Sequence, residues 1–496
     1  MIHFFSGRRM EAAAAVCALL LHGCVAGPNF RKPDAPAVSS YTGGPRPGET
    51  VGASTAGGAV QKFVPGGELP YRWWELFGSA NLDRWIREAF ANNLTLTAAE
   101  ATLRRAQEMR RIRYADLLPS VDASLGASRQ KISGSSFGQG NAHINPFTLF
   151  NASVDVAYTL DLAGRTRREL EALQAQVDYS RFQLEGAHIT LASNIVTAVI
   201  QEASLRAQLA ATREIVAAQE ESLRMIERKF ELGGIARAEV LAQRTLLAQS
   251  RATLPPLEKQ LSQTRHLLAV LGGRFPGDAE DLPEFSLEEM RLPEELPVSL
   301  PSALVRQRPD IRSAEELLHA ASAQIGVATA ELYPQVTLSA QLGTSALRAG
   351  DLFSSGSAVW GVGAGLLQPV FHGGALRANQ RAAVAGFDES AALYRETVLR
   401  AFRDVADVLR ALEFDAEALK AQSAAEAAAQ DSLDIARRQF HLGATSYLSL
   451  LDAQRQYHQT RILRVQAQAA RYADTAGLFQ ALGGGWWNRE GRTVRQ

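Results

Sequence analysis

The chain has 496 residues, its 52 Lys and Arg are balanced by 52 Asp and Glu, and its two cysteines are Cys17 and Cys24. That length exceeds one ordinary domain. Zero net charge excludes the basic surplus of a nucleic-acid binder, so no nucleic-acid partner is expected.

Residues 1-23 read as a targeting signal. Arg8 and Arg9 give a positive start, and the apolar run Ala12 to Leu21 is too short for a permanent membrane helix. The run ends Leu21-His22-Gly23-Cys24, which resembles a bacterial lipobox, with His22 where a small or hydroxyl residue is usual. Cleavage there leaves Cys24 at the N-terminus for lipid attachment. A plain signal peptide with an incidental cysteine is the other reading. Cys24 is then the single mature cysteine, so no intrachain disulfide forms, and acylation accounts for the unpaired thiol.

Residues 24-72 are rich in Gly, Pro, Ser and Thr and read as an extended segment. Order is expected to begin near Trp73-Trp74, with a helix from about Asn81 to Leu118, stopped by Pro119. The pattern then changes to period two. Val121, Ala123, Leu125 and Ala127 alternate with Asp122, Ser124, Gly126 and Ser128; Val154 and Val156 alternate with Ser153 and Asp155. This predicts a β-hairpin over about 120-160, apolar on one face. A long helix follows from about Arg165 to Phe230, with Leu205, Leu209, Thr212, Val216, Gln219, Leu223 and Ile226 at coiled-coil spacing. A turn at Gly233-Gly234 leads to a return helix ending near Leu271. Residues 276-301 are rich in Pro and Glu and read as an irregular linker.

The plan then repeats. Leu96, Glu100, Pro119 and Val121 align on Ile311, Glu315, Pro334 and Val336 at one offset of about 215. So 73-275 and 302-482 each read as helix, hairpin, long helix, return helix. The second hairpin spans about 335-367, and the second rod runs from about Ala375 to Phe440, with Tyr394, Val398, Phe402, Val405, Leu409, Leu412, Ala416 and Leu419 on its stripe. At 1.5 Å per residue such a rod is on the order of 100 Å long. Residues 483-496 form a tail.

The strands have the lipid-out, water-in signature of an outer-membrane barrel. A soluble sheet with a solvated face is the bland alternative, but the chain is exported and no helix pattern remains to cover such a sheet. Four strands cannot close a barrel, and open edges in lipid cost several kcal/mol per backbone group. Several chains must therefore share one barrel: two give eight strands, three give twelve with room for a channel.

At this point a resemblance becomes specific. Cys24-Val-Ala-Gly27-Pro28-Asn29-Phe30, Arg308-Pro309-Asp310-Ile311-Arg312, Leu332-Tyr-Pro334, Gln368-Pro369-Val-Phe371-His-Gly373-Gly374, Tyr447-Leu448-Ser-Leu450-Leu451-Asp452 and Leu482-Gly483-Gly484-Gly485-Trp486 resemble the TolC-like outer-membrane efflux proteins, in their OprM- and NodT-like lipoprotein branch. His372 stands where an Asp is frequent. The resemblance implies a mostly α fold with a small β part: a trimer whose twelve-stranded outer-membrane β-barrel continues into a periplasmic α-helical barrel. It implies a passive exit duct for drugs or other small molecules, docked to a periplasmic adaptor and an inner-membrane pump of the RND type. Other readings are the exit duct of a type I protein secretion system and a non-transport, exported trimeric coiled coil.

Three sets of site residues follow. Cys24 is the lipidation candidate. The rod ends Phe230-x-Leu232-Gly233 and Phe440-x-Leu442-Gly443 are adaptor-contact turns by the resemblance; the residues alone equally allow glycines that only reverse the helix. Leu448 and Asp452 are four apart and share a helix face, and at an offset of 210 they fall on Ala238 and Ala242. The resemblance makes them a periplasmic gate, an apolar ring beside a carboxylate ring. The alternative packs Leu448 inside the coiled coil and pairs Asp452 with an arginine such as Arg455. No catalytic residues are expected. Gly361-x-Gly363-x-Gly365 sits inside a strand, no P-loop occurs, the histidines lack ligand spacing, and the methionines are scattered. The chain is expected to be no enzyme and to need no cofactor beyond the lipid on Cys24.

Overall fold

The structure is a computed structural model and describes residues 25–44, 47–131 and 145–489. Cys24, the signal region and the end of the tail lie outside the described residues.

The chain forms two compact units. The strand-bearing unit takes Met1–Pro33, Thr102–Ser180 and Ser313–Tyr394; the helical unit takes Asp34–Ala101, Arg181–Arg312 and Arg395–Gln496. In chain order the elements are β1 (Lys62–Pro65), α1 (Ala80–Asn92), α2 (Leu94–Tyr114), β2 (Ser120–Gln130), β3 (Phe147–Leu160), α3 (Arg165–Glu231), α4 (Arg237–Ala252), α5 (Leu254–Leu271), β4 (Glu295–Val298), α6 (Pro301–Gln307), α7 (Pro309–Ala330), β5 (Gln335–Ala346), β6 (Ala358–Leu367), α8 (Ala375–His441) and α9 (Tyr447–Ala481).

In the strand-bearing unit, β2, β3, β5 and β6 form one antiparallel sheet in that order. β2 and β6 are its edges. The register explains the alternation in sequence. Val121 pairs with Val156, Val156 with Ala340 and Ala340 with Val362. Two residues on, Ala123, Val154, Leu342 and Trp360 form a second row. Directly opposed residues share a face, so each row places apolar side chains on one side across all four strands. The intervening row is Asp122, Asp155, Gln341 and Gly361. Among the described residues nothing covers the apolar face: Val121, Leu342, Trp360 and Val362 are all exposed.

In the helical unit, the stripe of α8 is buried. Val398, Ala401, Val405, Leu409, Leu412, Ala416 and Leu419 are all largely or fully inaccessible. The sequence stripe had a stutter at Phe402. In the structure Ala401 enters the core in its place, which moves the two consecutive four-residue steps to Ala401, Val405 and Leu409, while Phe402 is half-buried and meets Tyr41 at 5.4 Å between ring centroids. Trp73, Phe77, Phe479 and Tyr472 make a second aromatic core.

Three elements differ from the expectation. The helix expected over 81–118 breaks at Asn93, whose Oδ1 accepts from the N–H groups of Thr95 (2.9 Å) and Leu96 (3.1 Å) and so starts a second helix. The return helix expected to reach Leu271 breaks at Thr253, because Pro255 and Pro256 cannot donate to the preceding turn. The extended segment and the irregular linker are joined: β1 pairs in parallel with β4, from Lys62↔Glu295 to Pro65↔Val298. Order therefore begins well before Trp73.

Arg471 of α9 secures this N-terminal stretch. It is fully buried. Its guanidinium donates to Gly57 O (2.8 Å), Ala59 O (3.1 Å), Gln61 Oε1 (3.0 Å) and Thr50 Oγ1 (3.2 Å). Burial lowers its pKa. The acceptors are uncharged, and together they solvate the cation in place of water.

Candidate functional site

The two rod ends of the helical unit are built alike. At the end of α3, Gly233 donates to Phe230 O (2.9 Å) and Gly234 to Lys229 O (2.9 Å). At the end of α8, Gly443 donates to Phe440 O (3.1 Å) and Ala444 to Gln439 O (2.8 Å). This is the Schellman pattern, and it requires a left-handed residue at the fifth position. Gly233 and Gly443 supply it with φ of +74° and +73°. A Cβ on either would meet nothing within 4 Å. Backbone geometry alone demands these glycines, and open space surrounds them.

The turns are held together from within. Lys229 Nζ lies 4.6 Å from the centre of the Phe440 ring, and that ring is 5.2 Å from the Tyr447 ring. Ile226, Val240, Leu433, Tyr447, Leu450, Leu451 and Ala453 form a buried cluster, with Leu223 and Phe440 at its margin. The Tyr447 hydroxyl donates to Gln243 Oε1 at 2.5 Å, and Gln243 Nε2 donates to Gln219 O at 2.8 Å. Burial pushes the Tyr447 phenol up, with Glu239 adding to the rise. Outside this cluster Leu232 and Leu442 are 82% and 83% exposed, and Phe230 is 41% exposed. The structure thus brings the six turn residues into one region, and of these only Phe440 is half-buried while the other five are exposed.

Ser446 starts α9 by accepting from Ser449 N–H at 3.2 Å. Leu450, Leu451, Ala453 and Gln454 turn inward; Leu448 and Asp452 turn outward. Leu448 is 65% exposed and is not packed against the chain's own helices. Asp452 accepts from Arg455 (2.5 Å) and from Gln456 Nε2 (2.9 Å), both on its own helix. Within the single chain, then, Asp452 pairs with an arginine and Leu448 is left uncovered. Of their counterparts in the first repeat, Ala238 is exposed and Ala242 packs at the cluster margin.

Sequence reasoning missed two polar features here. Gln219 and Gln454 line a cavity of about 240 Å³ beside Tyr457, Arg437 and Arg461, and both Gln219 side-chain atoms and Gln454 Oε1 lack a protein partner. Gln219 and Gln454 both occupy buried positions of their helices; Gln219 lies on the stripe that the period read as packing, and no stripe singled out Gln454. Higher on α9, burial pushes the Asp474 carboxyl up to about 7, and Asp415 on α8 adds to the rise. No spacing within one helix could have paired these two.

Among the described residues no group of His, Cys, Asp and Glu could hold a metal ion, and no helix is long and apolar enough to cross a membrane.

Comparison with known proteins matches this geometry. The family model described as outer membrane efflux protein matches residues 85–274 and 300–484. The chain is 35% identical over 422 residues to the pyoverdine export outer membrane protein OpmQ of Pseudomonas aeruginosa, covering 84% of this chain and 87% of that one. It is 30% identical over 484 residues to the probable efflux pump outer membrane protein TtgC of Pseudomonas putida, covering 97% of each. The solved structure of the outer-membrane channel OprN superposes with a TM-score of 0.83 at 28% identity, covering 93% of this chain and all of the other.

Proposed function

Because this chain belongs to the outer membrane efflux protein family, as an efflux exit channel of the outer membrane and not an enzyme, we propose that three copies share one twelve-stranded barrel. The observation that carries this is the four-stranded sheet, whose edges β2 and β6 are unpaired and whose aligned apolar rows are left exposed among the described residues. Below the barrel the α3 and α8 rods of the three copies form a helical tunnel. The matching element order of 73-275 and 302-482 supports an internal duplication, with 276-301 as the linker between the copies and 483-496 as a tail. The duct is passive. It discharges small molecules handed on by a periplasmic adaptor and an inner-membrane pump of the RND type; relatives named for pyoverdine, antibiotics and toluene support that class of cargo. The test is the purified full chain in detergent and in planar bilayers. Three chain masses per particle and discrete conductance steps are expected. A particle of another stoichiometry, or a trimer that never conducts, overturns the proposal.

The same reading makes residues 1-23 a lipoprotein signal and Cys24 the acylated N-terminus of the 24-72 segment. The unpaired thiol directly after Leu21-His22-Gly23 supports it. Cys24→Ser should abolish incorporation of radiolabelled palmitate. Part of the protein should stay in the outer membrane, because a single acyl chain binds membranes weakly and the barrel is the main anchor. Undiminished labelling of the variant rules the site out.

A further inference from the structure

The first described residues are seated in the strand-bearing unit by a set of specific contacts. Ala26 N–H donates to Ala163 O at 2.9 Å, in the turn between β3 and α3. Arg168, near the start of α3, is 4% exposed and pairs with Glu171 at 2.6 Å. It also donates to Ala26 O (3.0 Å), Gly27 O (3.3 Å) and Asn29 Oδ1 (2.8 Å). Gly27 has φ of +84°, and a Cβ there would lie 2.4 Å from Cα of Gly326 on α7. Two glycines thus let the strap and α7 approach backbone to backbone. Further along, the Phe30 ring stacks on His319 of α7, with centroids 4.4 Å apart and planes 13° apart. Lys32 Nζ lies 3.3 Å from Glu315.

His319 is the unusual member of this set. Its Nε2 is 3.0 Å from Glu171 on α3, and its Nδ1 is 3.4 Å from Glu316 on α7. A neutral imidazole carries one N–H and can satisfy one of these carboxylates; its other nitrogen then turns a lone pair toward the second. The imidazolium donates to both. The charged groups around the ring are Glu171 and Arg168 from α3, Glu315 and Glu316 from α7, and Lys32 from the strap.

We propose that His319 is a pH-operated pin: as the imidazolium it ties α3 to α7 beneath Phe30 and holds residues 25–32 in their seat, and its deprotonation loosens them. The hydrogen bond to Glu316 raises the His319 pKa most, the bond to Glu171 adds to it, and burial opposes both. The sign follows from that rise. The extra hold is complete below the ordinary imidazole value of about 6.5 and is lost as pH rises through the higher folded value. The strap is therefore firmest on the acid side and slackens in alkali. This inference rests on the seat itself and stands whether or not Cys24 is acylated.

The test is hydrogen exchange, read by mass spectrometry, on the full-length channel in detergent at about pH 6 and about pH 9, after correction for intrinsic exchange. Protection of the strap amides from residue 26 to residue 32 should be severalfold higher at the lower pH, in the direction of the raised His319 pKa. His319→Gln should behave at both pH values as the unmodified channel does at the higher one. Arg168→Ala gives the level of a fully unseated strap, and the melting of each variant reports whether it assembled. Equal protection at the two pH values in the unmodified channel overturns the pin, as does a His319→Gln channel that keeps the unmodified ratio. If His319→Gln does not assemble, Glu316→Gln takes its place with the same two outcomes.

Discussion

Changing Leu448 and Asp452 together to alanine should raise single-channel conductance several-fold and lower cation selectivity. Both side chains point away from the chain's own core, and substitutions at such positions usually shift stability by no more than about 0.5 kcal/mol. The fold and the trimer should survive. In the proposed trimer the exposed face of α9 carries three leucines and three carboxylates around the tunnel mouth. Leucine narrows the opening; the carboxylates favour cations, as acidic rings do. The arginine pairing that the residues allowed is present, and it adds a component. Arg455 is held by Asp452 at 2.5 Å, so removing the carboxylate also releases a cation at the mouth. Selectivity should thus fall further than the loss of one negative charge per chain implies. The single changes separate the two effects: Leu448→Ala acts mainly on conductance, Asp452→Asn mainly on selectivity. A normally assembled double variant with both quantities unchanged places the constriction elsewhere.

The second large effect is expected at the rod ends. Gly443→Trp should weaken crosslinking of the periplasmic adaptor by about tenfold or more, the effect of roughly 1.4 kcal/mol, while trimers still form. Space around Gly443 is open, so the indole does not collide with this chain. Its φ of +73° does impose strain on any side chain, of about 1–2 kcal/mol. Gly443→Ala carries that strain without the bulk and is the necessary control. If alanine and tryptophan weaken docking equally, strain in the turn is responsible and the tip is not an adaptor surface. If neither weakens it, the adaptor docks elsewhere. Leu232→Asp and Leu442→Asp provide an independent measure, since both side chains are more than four-fifths exposed and carry no backbone constraint.

Much of this molecule could be read from its periods. The expected starts of the rods at Arg165 and Ala375 coincide with those of α3 and α8, because a long run of good helix formers has few competing states. The alternation at Val121 and Val336 predicted the rows of the sheet, since side-chain direction in a strand depends on parity alone. What the periods missed depended on partners distant in sequence. β1 and β4 are four residues each and contain Pro65 and Pro297, so neither suggests a strand until the other lies beside it. Arg471 sits among helix formers like any surface arginine, and its burial is set by the carbonyls of a segment more than four hundred residues away. Asn93 ends one helix and starts another through its own side chain, a local signal that was available and overlooked. At the candidate gate the helix face was legible. The pairing of Asp452 with Arg455 was legible too, as the alternative reading; the exposure of Leu448 needed coordinates.

The open edges of the sheet also determine how the molecule must come into being. The rods complete their backbone hydrogen bonds within one chain; the outer sides of β2 and β6 do not. Unmatched amides and carbonyls are excluded from hydrocarbon at several kcal/mol each. A newly exported single chain can therefore fold its helices but not insert its strands. In the proposed shared barrel, insertion awaits a collision with other copies, so its rate depends on chain concentration while the rate of helix formation does not. The species that accumulates when export outpaces assembly carries two bare strand edges, the kind of surface that templates aggregation. On the proposed assembly, the yield of channels is decided at that intermediate, before any cargo is carried.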